Sequence, residues 1–441
     1  MLYSGKDLRK LIIPLVIEQV LAIAVGMADT IMVSAAGEAA VSGVSLVDTV
    51  NILLINVFSA LATGGAVVAG HFLGQKKRAE ACRTAWQILL FATILAVAIS
   101  AVFLAAHDPL LRLIFGKTDE AVMRASKTYL IITAWSFPAL AIYNSCAALF
   151  RAMNGAKVTM WVSLLMNGLN VIGNAICMFG LHMGVEGVAL PTTVSRYVAA
   201  VVIFIMMFYG ERQISLRGQV TLRFEGKLIK RILYIAVPNG LENSMFQLGK
   251  IMVLSLVSGF GTASIAANAV SNSVCAFAIL GGMSMGYALS SVSAQCVGAG
   301  DYKQVRYYTK KLMGYSYASM LAMNLLIIAA LSFIIKVYNL SPETGKMAEE
   351  IILYHAVCSV LIWPVAFTLP NTLRAANDVG FCMIVSVVSM WIFRIGLSFV
   401  LSKNLGMGVL GVWVAMTIDW VVRAIFFAFR YRGTKWQKAK A

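Results

Sequence analysis

The sequence predicts an all-α integral membrane protein, in which twelve transmembrane helices form two parallel repeats of six helices each. Two observations predict this fold class. The chain of 441 residues is 60% hydrophobic and only 12% charged. In addition, the second half repeats landmark residues of the first half at a constant offset of 224 residues.

The composition indicates that lipid surrounds most of the chain. A soluble protein of this length cannot bury so much apolar surface, and the mean hydropathy here is +0.82. The net charge of +17 does not indicate a nucleic-acid partner, because the basic residues lie in short segments between apolar ones. The seven cysteines form no CxxC pair and no metal-ligand spacing, so reduced, packed thiols are expected.

The repeat is carried by prolines, glutamates and glycines. The pairs are Pro14 and Pro238, Glu18 and Glu242, Gly37 and Gly261, Gly74 and Gly298, Gly184 and Gly408, and Gly187 and Gly411. Arg151 recurs at Arg374, slipped by one residue. We therefore expect an N-lobe at 1–209, a cytoplasmic linker at 210–230, and a C-lobe at 231–441 with a basic tail. Many secondary transporters are built from such apolar repeats.

Twelve apolar segments are long enough to cross a hydrocarbon core, which takes roughly 20 helical residues. They span 11–34, 44–71, 86–106, 126–150, 158–180, 185–209, 231–258, 265–297, 312–335, 349–370, 381–402 and 407–429. With the N-terminus inside, 25 lysines and arginines fall on the cytoplasmic side and 7 on the outer side. This bias predicts a multi-pass protein of the cell inner (plasma) membrane with both termini cytoplasmic.

The first segment carries two acids, Glu18 and Asp29, although a charge at the centre of a span costs at least about 2.5 kcal/mol. They lie eleven residues apart, so they share one helix face. We expect this face to point into protein or a water-filled cavity; the alternative for Glu18 is capping or snorkelling. Pro14 and Pro238 precede the repeated glutamates by four residues, so each first helix is expected to kink there. The kink would either let the first helix switch between two conformations or only set the shape of that helix.

The fifth segment places three amides, Asn167, Asn170 and Asn174, on one helix face. Hydrogen bonding between helices alone would account for them. Together with the Asp29 carboxylate and the Thr192 hydroxyl, however, they would line a pocket with oxygen atoms, which suits Na⁺. A carboxyl group in apolar surroundings can instead hold a proton.

The other charges inside the segments have structural interpretations. Asp48 is expected to cap the second helix in its first turn. Asp419 and Arg423 are expected to form an i,i+4 pair near the cytoplasmic end of the last helix, and Arg394 to neutralise a carboxylate. HExxH and P-loop motifs are absent from the sequence. We therefore expect no enzyme activity and no cofactor besides a coupling ion.

Several longer motifs occur at corresponding places in the two halves. The first half contains PLVIEQ, GMADTIMVSAAG, AGHFLGQKKRAEA, LFRAMNGAK and NVIGNAICMFGLHMGVEGVALPT. The second half contains PNGLE, VSAQCVGAG, LRAANDVG and GMGVLGV. With these motifs the chain resembles the multidrug and toxic compound extrusion (MATE) family, notably its prokaryotic NorM-like and DinF-like members, over about residues 5–430.

The resemblance implies a V-shaped pair of six-helix lobes and antiport of H⁺ or Na⁺ against amphipathic, often cationic molecules. It also implies a cation site in the N-lobe, which falls here on Asp29, Asn170, Asn174 and Thr192. Position 174 is Asn where the family pattern has Asp, so the site carries one negative charge fewer. Some relatives place a further acid on the seventh helix, where this chain has Gln247.

Substrate or gating roles are expected for Glu18, Pro14, Glu242, Pro238 and Gln247. The expected partners are a small amphipathic, cationic substrate and membrane lipids, with no nucleic acid, for a protein that acts as a monomer. The alternative function is a flippase of lipid-linked saccharides from the same wider superfamily. Such flippases have a more cationic cavity and often extra spans, so the span count and the predicted cation site favour the antiporter.

The charge bias generates a prediction about topology. A peptide tag at the C-terminus should be inaccessible to an antibody added outside intact cells, and it should become accessible once the membrane is permeabilised. Labelling of the tag in intact cells would contradict the predicted orientation.

Overall fold

The computed structural model describes residues 2–34, 37–115, 119–210, 212–338 and 340–438. The regular secondary structure in these ranges is helical. The first repeat contains α1 (Gly5–Ser34), α2 (Glu38–Gly74), α3 (Arg78–Ala105), α4 (His107–Phe115), α5 (Glu120–Ala134), α6 (Phe137–Ala152), α7 (Ala156–Ala175) and α8 (Glu186–Tyr209). The second contains α9 (Gly226–Ser258), α10 (Thr262–Ala278), α11 (Leu280–Gly298), α12 (Tyr302–Val337), α13 (Pro342–Trp363), α14 (Pro370–Ala375), α15 (Val379–Ser389), α16 (Leu397–Phe399) and α17 (Gly408–Arg432).

The helices correspond to the twelve predicted spans. Within the described residues, eight helical stretches are long and apolar enough to cross a membrane. Two bent pairs, α5 with α6 and α10 with α11, turn by 51° and 47° and bring the number to ten. The other two predicted spans are α1 and α9, of 30 and 33 residues, which begin the two repeats. The all-helical membrane fold is therefore confirmed.

The duplication is visible in the backbone as well as in the sequence. Residues with positive φ recur in pairs at the repeat offset, or one residue short of it, because the same helix ends and turns are built twice. The pairs are Gly37 (94°) with Gly261 (93°), Lys76 (61°) with Gly300 (72°), Asn154 (63°) with Asn377 (66°), and His182 (50°) with Gly406 (68°). Two of these pairs combine different residue types, so the backbone keeps a symmetry that the side chains have lost.

The one-residue slip of the repeat ends at a π-helical turn in the second half. The π-helical turn Ile176–Gly180 matches the turn Val400–Asn404 at the full offset, but the turn Met390–Gly396 has no equivalent in the described part of α7. A π turn inserts one extra residue into a helix. This extra turn therefore restores the offset that is one residue short at Arg374.

Two compact units form the chain, Ser4–Gly240 and Leu241–Ala441 together with Met1–Tyr3. In the first unit, the polar segment after α8 lies along α3. The Trp86 indole nitrogen donates to the Thr221 carbonyl over 2.7 Å, and the Gln87 side chain donates to the Arg223 carbonyl over 2.9 Å. These side-chain bonds satisfy backbone carbonyls of a segment that has no helix or strand partner.

Close helix packing in the first unit requires glycine on α2. A Cβ atom on Gly43 would lie 2.7 Å from the Ala125 Cβ and 2.8 Å from the backbone nitrogen of Ser126. The Ser126 hydroxyl also donates to the Gly43 carbonyl over 3.2 Å. The contact between α2 and α5 thus has the small-residue character common in membrane helix pairs.

We predict that Gly43→Ala destabilises the protein by roughly 1–3 kcal/mol, as overpacking of a close contact does. The matched control is Gly168→Ala, because a Cβ there meets no atom within 4 Å. Thermal unfolding in detergent should show a lower Tm for the first variant and an unchanged or higher Tm for the control. Equal Tm values would contradict the packing argument.

Candidate functional site

The four residues predicted for the cation site form one hydrogen-bonded network in the first unit, here called the N-repeat network. The Asn174 amide nitrogen donates to Asp29 Oδ1 over 2.9 Å and lies 3.4 Å from Asn170 Oδ1. The Asn170 amide nitrogen donates to Thr192 Oγ1 over 2.9 Å. The Thr192 hydroxyl in turn donates to the Val188 carbonyl over 2.8 Å. Side chains from α1, α7 and α8 are thereby connected.

Helix α7 brings these groups together because it packs against both α1 and α8. Asn170 and Asn174 lie one turn apart and are both buried, with exposed fractions of 7% and 0%. Gly173 lies between them against Pro191 of α8, where a Cβ atom would lie only 2.7 Å from the Pro191 Cβ. Glycine at this position therefore allows the close approach that puts Asn170 within reach of Thr192.

The hydrogen-bond directions follow from chemistry. A carboxylate only accepts, so the amide nitrogen of Asn174 faces Asp29. The Asn174 oxygen is then buried without a hydrogen-bond partner in the described structure. A cation at Asp29 would require oxygen ligands, and rotation of the amide group would supply one. Asn167 bonds instead to Ser163 over 3.3 Å, one turn earlier on α7.

Asp48 belongs to the same region, and its predicted role as a helix cap is wrong. Helix α2 begins at Glu38, ten residues earlier, so Asp48 lies well inside the helix. Its Oδ1 accepts hydrogen bonds from the Tyr129 hydroxyl over 3.1 Å and from the Asn51 amide over 3.3 Å. One feature of the sequence points to a buried, hydrogen-bonded Asp48, namely that an acid lies inside an apolar segment.

Arg196 on α8 supplies a positive charge near both acids. Its guanidinium donates to the Ser136 hydroxyl over 2.8 Å, and it is attracted electrostatically by Asp29 and Asp48. The first unit therefore combines two carboxyl groups and one guanidinium within its membrane-spanning helices. The sequence pattern indicates no role for Arg196, because its nearness to α1 and α2 depends on how the helices pack.

Glu18 and Glu242 form equivalent ion pairs in the two repeats. Arg151 lies 3.3 Å from Glu18, and Arg374 lies 2.7 Å from Glu242. Glu18 also accepts a hydrogen bond from Thr159 over 2.9 Å. Glu18 is buried, so the alternative in which it caps or snorkels is wrong. Each pair links the first helix of its repeat to the end of the fourth span.

The remaining predicted site residues lie elsewhere. Pro14 and Pro238 are inside the continuous helices α1 and α9. Gln247, at the place of the second acid of some relatives, is half-buried on α9. In the described part of the protein, none of these three contributes a hydrogen bond to the N-repeat network.

The predicted pair on the last helix is present, but its predicted depth is wrong. Arg423 Nε lies 2.9 Å from Asp419 Oδ1, and both side chains are almost fully buried. Asp419 is eleven residues into the 25-residue helix α17, so the pair lies near mid-span rather than at the cytoplasmic end. Among the described residues, no group of three histidines, cysteines or acids is placed to hold a metal ion.

Comparison with known proteins agrees with this architecture. The family model described as MatE matches residues 14–176 and again residues 238–400. The chain is 26% identical to "Uncharacterized transporter YisQ" of Bacillus subtilis, over 97% of this chain and 94% of that protein. It is 24% identical to "Probable multidrug resistance protein NorM" of Thermotoga maritima, over 98% and 93%.

The fold also matches a solved structure, described as an outward-facing multidrug resistance MATE family transporter of the MOP superfamily. The TM-score is 0.91 at 20% identity, with 98% of this chain and 96% of that chain covered. The two family matches cover most of the chain and are separated by the same 224 residues as the sequence repeat. The protein therefore belongs to the MatE family and is a membrane transporter, not an enzyme.

Proposed function

We propose that this protein exports amphipathic small molecules from the cytosol by alternating access, in exchange for H⁺ or Na⁺. The single observation that carries the proposal is the N-repeat network, in which one carboxylate inside the membrane accepts a hydrogen bond from the Asn174 amide, which is linked in turn to Asn170 and Thr192. An ionisable group at such a depth is costly and marks an ion or substrate pathway by default.

The network is suited to exchange one bound species for another. Asp29 is bonded through Oδ1 to a neutral amide, so its charge is not cancelled by a direct ion pair in the described structure. A proton or a sodium ion on Asp29 would remove that charge and disturb the bond from Asn174. Antiport follows when the ion and the substrate stabilise different conformations of the same protein.

The oxygen-rich chemistry of the network allows either ion. Asp29, Asn170, Asn174 and Thr192 offer carboxylate, amide and hydroxyl oxygens, the ligand types that hard cations prefer. The same carboxylate can bind a proton, so H⁺ and Na⁺ should compete for Asp29. For the substrate, the two acids of the first unit favour a molecule with a positively charged group.

The arrangement in the cell is part of the same proposal. The basic residues concentrated in the predicted cytoplasmic segments favour the plasma membrane with both termini inside. One chain supplies two repeats and a complete polar network, so we propose that a monomer is the working unit. No other cofactor is required for this mechanism.

Flipping of lipid-linked saccharides is the second candidate, and one observation favours it. Three basic side chains, Lys250, Arg394 and Arg423, lie around one ring in the second unit, as expected of a protein that handles a lipid phosphate. A flippase would translocate a fluorescent polyprenyl-phosphate saccharide in proteoliposomes. An antiporter would leave that lipid in place and move a soluble amphipathic cation against an ion gradient.

We predict that Asp29→Asn abolishes gradient-driven efflux while the protein still folds. Asparagine keeps the size and a hydrogen-bonding oxygen but cannot bind a proton or balance a cation. The measurement is efflux of ethidium from proteoliposomes under imposed H⁺ and Na⁺ gradients, tested separately. The matched control is Asp108→Asn, since Asp108 is exposed and pairs only with other exposed or partly exposed groups, at 3.0 Å from Lys127. Full efflux by folded Asp29→Asn would remove Asp29 from the mechanism.

We predict that Asn174→Asp strengthens the response to cations. Two carboxyl groups in contact repel each other unless a proton or a cation lies between them. The variant should show a larger Na⁺-dependent rise in Tm, or should transport at a higher pH, than the wild type.

The matched control is Asn167→Asp, which makes the same change on the same helix, where the amide bonds to Ser163 instead. Thermal unfolding is measured at several Na⁺ concentrations and pH values. An identical response of the wild type and Asn174→Asp would exclude position 174 from ion coupling.

A further inference from the structure

The second unit contains a group of basic side chains inside its membrane-spanning helices, whereas the N-repeat network of the first unit contains an acid. Lys250 on α9, Arg394 in the turn Met390–Gly396 and Arg423 on α17 all lie well inside membrane-spanning helices. We call these three residues the C-repeat basic cluster. Charges at this depth are rare, because each must be removed from water, and they are retained mainly where they bind something.

One aromatic ring forms the centre of the cluster. The Phe246 ring centroid lies 4.7 Å from the Arg394 guanidinium carbon, 5.1 Å from the Lys250 nitrogen and 6.0 Å from the Arg423 guanidinium carbon. Cation–π contacts stabilise each charge in part. The three positive charges nevertheless repel one another, and the ring carries no net charge to balance them.

In the described structure the carboxylate paired with these cations is that of Asp419, whose Oδ1 is engaged and whose Oδ2 is buried without a hydrogen-bond partner. Asp419 Oδ1 accepts from Arg423 Nε over 2.9 Å and from the Ser389 hydroxyl over 2.6 Å. Arg394 is attracted by Asp419 but repelled by Arg423. The prediction that a carboxylate neutralises Arg394 is therefore met only by an acid that it shares with Arg423, so a net positive charge remains.

Two atoms of the cluster are available to bind an acidic group. Arg394 NH1 is buried, and no hydrogen-bond acceptor reaches it within the described residues. The Lys250 side chain is exposed, so its ammonium group is open to a molecule that approaches α9. A buried guanidinium N–H without an acceptor is costly, and a bound oxyanion would satisfy it through charge-assisted hydrogen bonds.

The equivalents of two N-repeat network residues are apolar in the second unit. The offset of 224 residues places Val253 at the position of Asp29 and Met416 at that of Thr192. Asn170 falls opposite the turn Met390–Gly396, where the offset changes by one residue and where Arg394 lies. The second unit therefore lacks the carboxylate of the network and has a cation close to the place of one of its amides.

Aromatic side chains adjoin the cluster and provide an apolar surface. Arg423 also lies over Phe367, at 5.3 Å, and the Phe367 ring contacts Trp420 at 5.9 Å. His355 packs edge-on against Trp420 at 5.5 Å. The Trp420 indole N–H is buried and, within the described residues, donates to no acceptor. Cations beside flat apolar rings suit a ligand that combines a negative group with an apolar body.

We propose that the C-repeat basic cluster is an anion-binding site for the carboxylate, sulfonate or phosphate group of an amphipathic molecule. Arg394 and Lys250 bind the oxyanion, Arg423 contributes its charge, and the aromatic residues contact the apolar part. As a statement about cargo, this inference rests on the proposed export function. The exported molecules then include acidic or zwitterionic amphiphiles, beyond the purely cationic ones.

The test is calorimetric titration of the full chain in neutral detergent with 2-naphthalenesulfonate. We expect saturable binding that Arg394→Gln and Lys250→Gln each weaken at least tenfold. The matched control is Lys311→Gln, which removes a cation that also lies over an aromatic ring of the same unit, Tyr307, at 5.8 Å. Its affinity should equal that of the wild type. Binding of 2-naphthylmethylammonium, which has the same rings and the opposite charge, should not respond to these variants.

Folding is checked by thermal unfolding of each variant. Arg394→Lys keeps the charge and should bind the sulfonate within a few-fold of the wild type. If Arg394→Gln does not fold, Lys250→Gln decides the question, because shortening an exposed side chain leaves no buried gap. The absence of saturable binding, or equal weakening by Lys250→Gln and Lys311→Gln, would overturn the site.

A second arm separates a soluble cargo from a lipid headgroup. The titration is repeated in phosphatidylcholine nanodiscs with and without phosphatidylglycerol. Unchanged sulfonate affinity supports a site for soluble amphiphiles, whereas displacement by phosphatidylglycerol would identify a lipid phosphate as the occupant and overturn the cargo assignment. Since no gradient is imposed, failed binding leaves the Asp29 proposal intact, and failed efflux leaves the anion site intact.

Discussion

Removing a charge from water into the interior of a membrane protein is costly, and this constraint explains where the charged residues of the protein lie. Each charge inside a span must be paired, hydrogen-bonded or used. The pairs Glu18–Arg151 and Glu242–Arg374 meet the constraint by neutralising each other. The pair recurs in both repeats, and in each repeat it joins the first helix to the end of the fourth span. Their role in holding the helices together does not depend on which molecule is transported.

Other charges inside the spans are only partly paired or hydrogen-bonded, and these are the residues that we propose to bind an ion or a substrate. Asp29 is bonded to a neutral amide rather than to a cation, and it is the group that we propose to bind a proton or Na⁺. In the second unit, Arg394 retains a buried N–H for which the described residues provide no acceptor. Incomplete pairing costs stability, but it leaves binding energy available for an ion or a substrate. Asp419 and Arg423 form a buried ion pair, although one oxygen of Asp419 has no hydrogen-bond partner in the described structure.

Duplication followed by divergence gives the two halves different chemistry on one backbone. Positive-φ positions and the π turn before the sixth span recur in both repeats, so the helix ends are conserved within the chain. The polar positions are not conserved, because Asp29 corresponds to Val253 and Thr192 to Met416. Under the two proposals above, an acidic site in one repeat and a basic site in the other would bind an ion and an acidic group of the substrate independently. Symmetry of fold therefore does not imply symmetry of sites.

Hydropathy and the repeat offset, which are properties of the sequence alone, predicted the twelve helices and the duplication. Helical spacing put Asn170 and Asn174 on one face, but their grouping with Asp29, 145 residues from Asn174, was supported by the family motifs. The sequence pattern did not indicate that Asp48 lies inside α2 near Arg196, that Asp419 and Arg423 lie near mid-span, or that Lys250, Arg394 and Arg423 surround one phenylalanine ring. These features depend on which helices pack together and at what depth, which spacing along one helix does not specify. Which charges are paired and which keep an unpartnered atom therefore follows from the packing of the helices and could not be read from the chain.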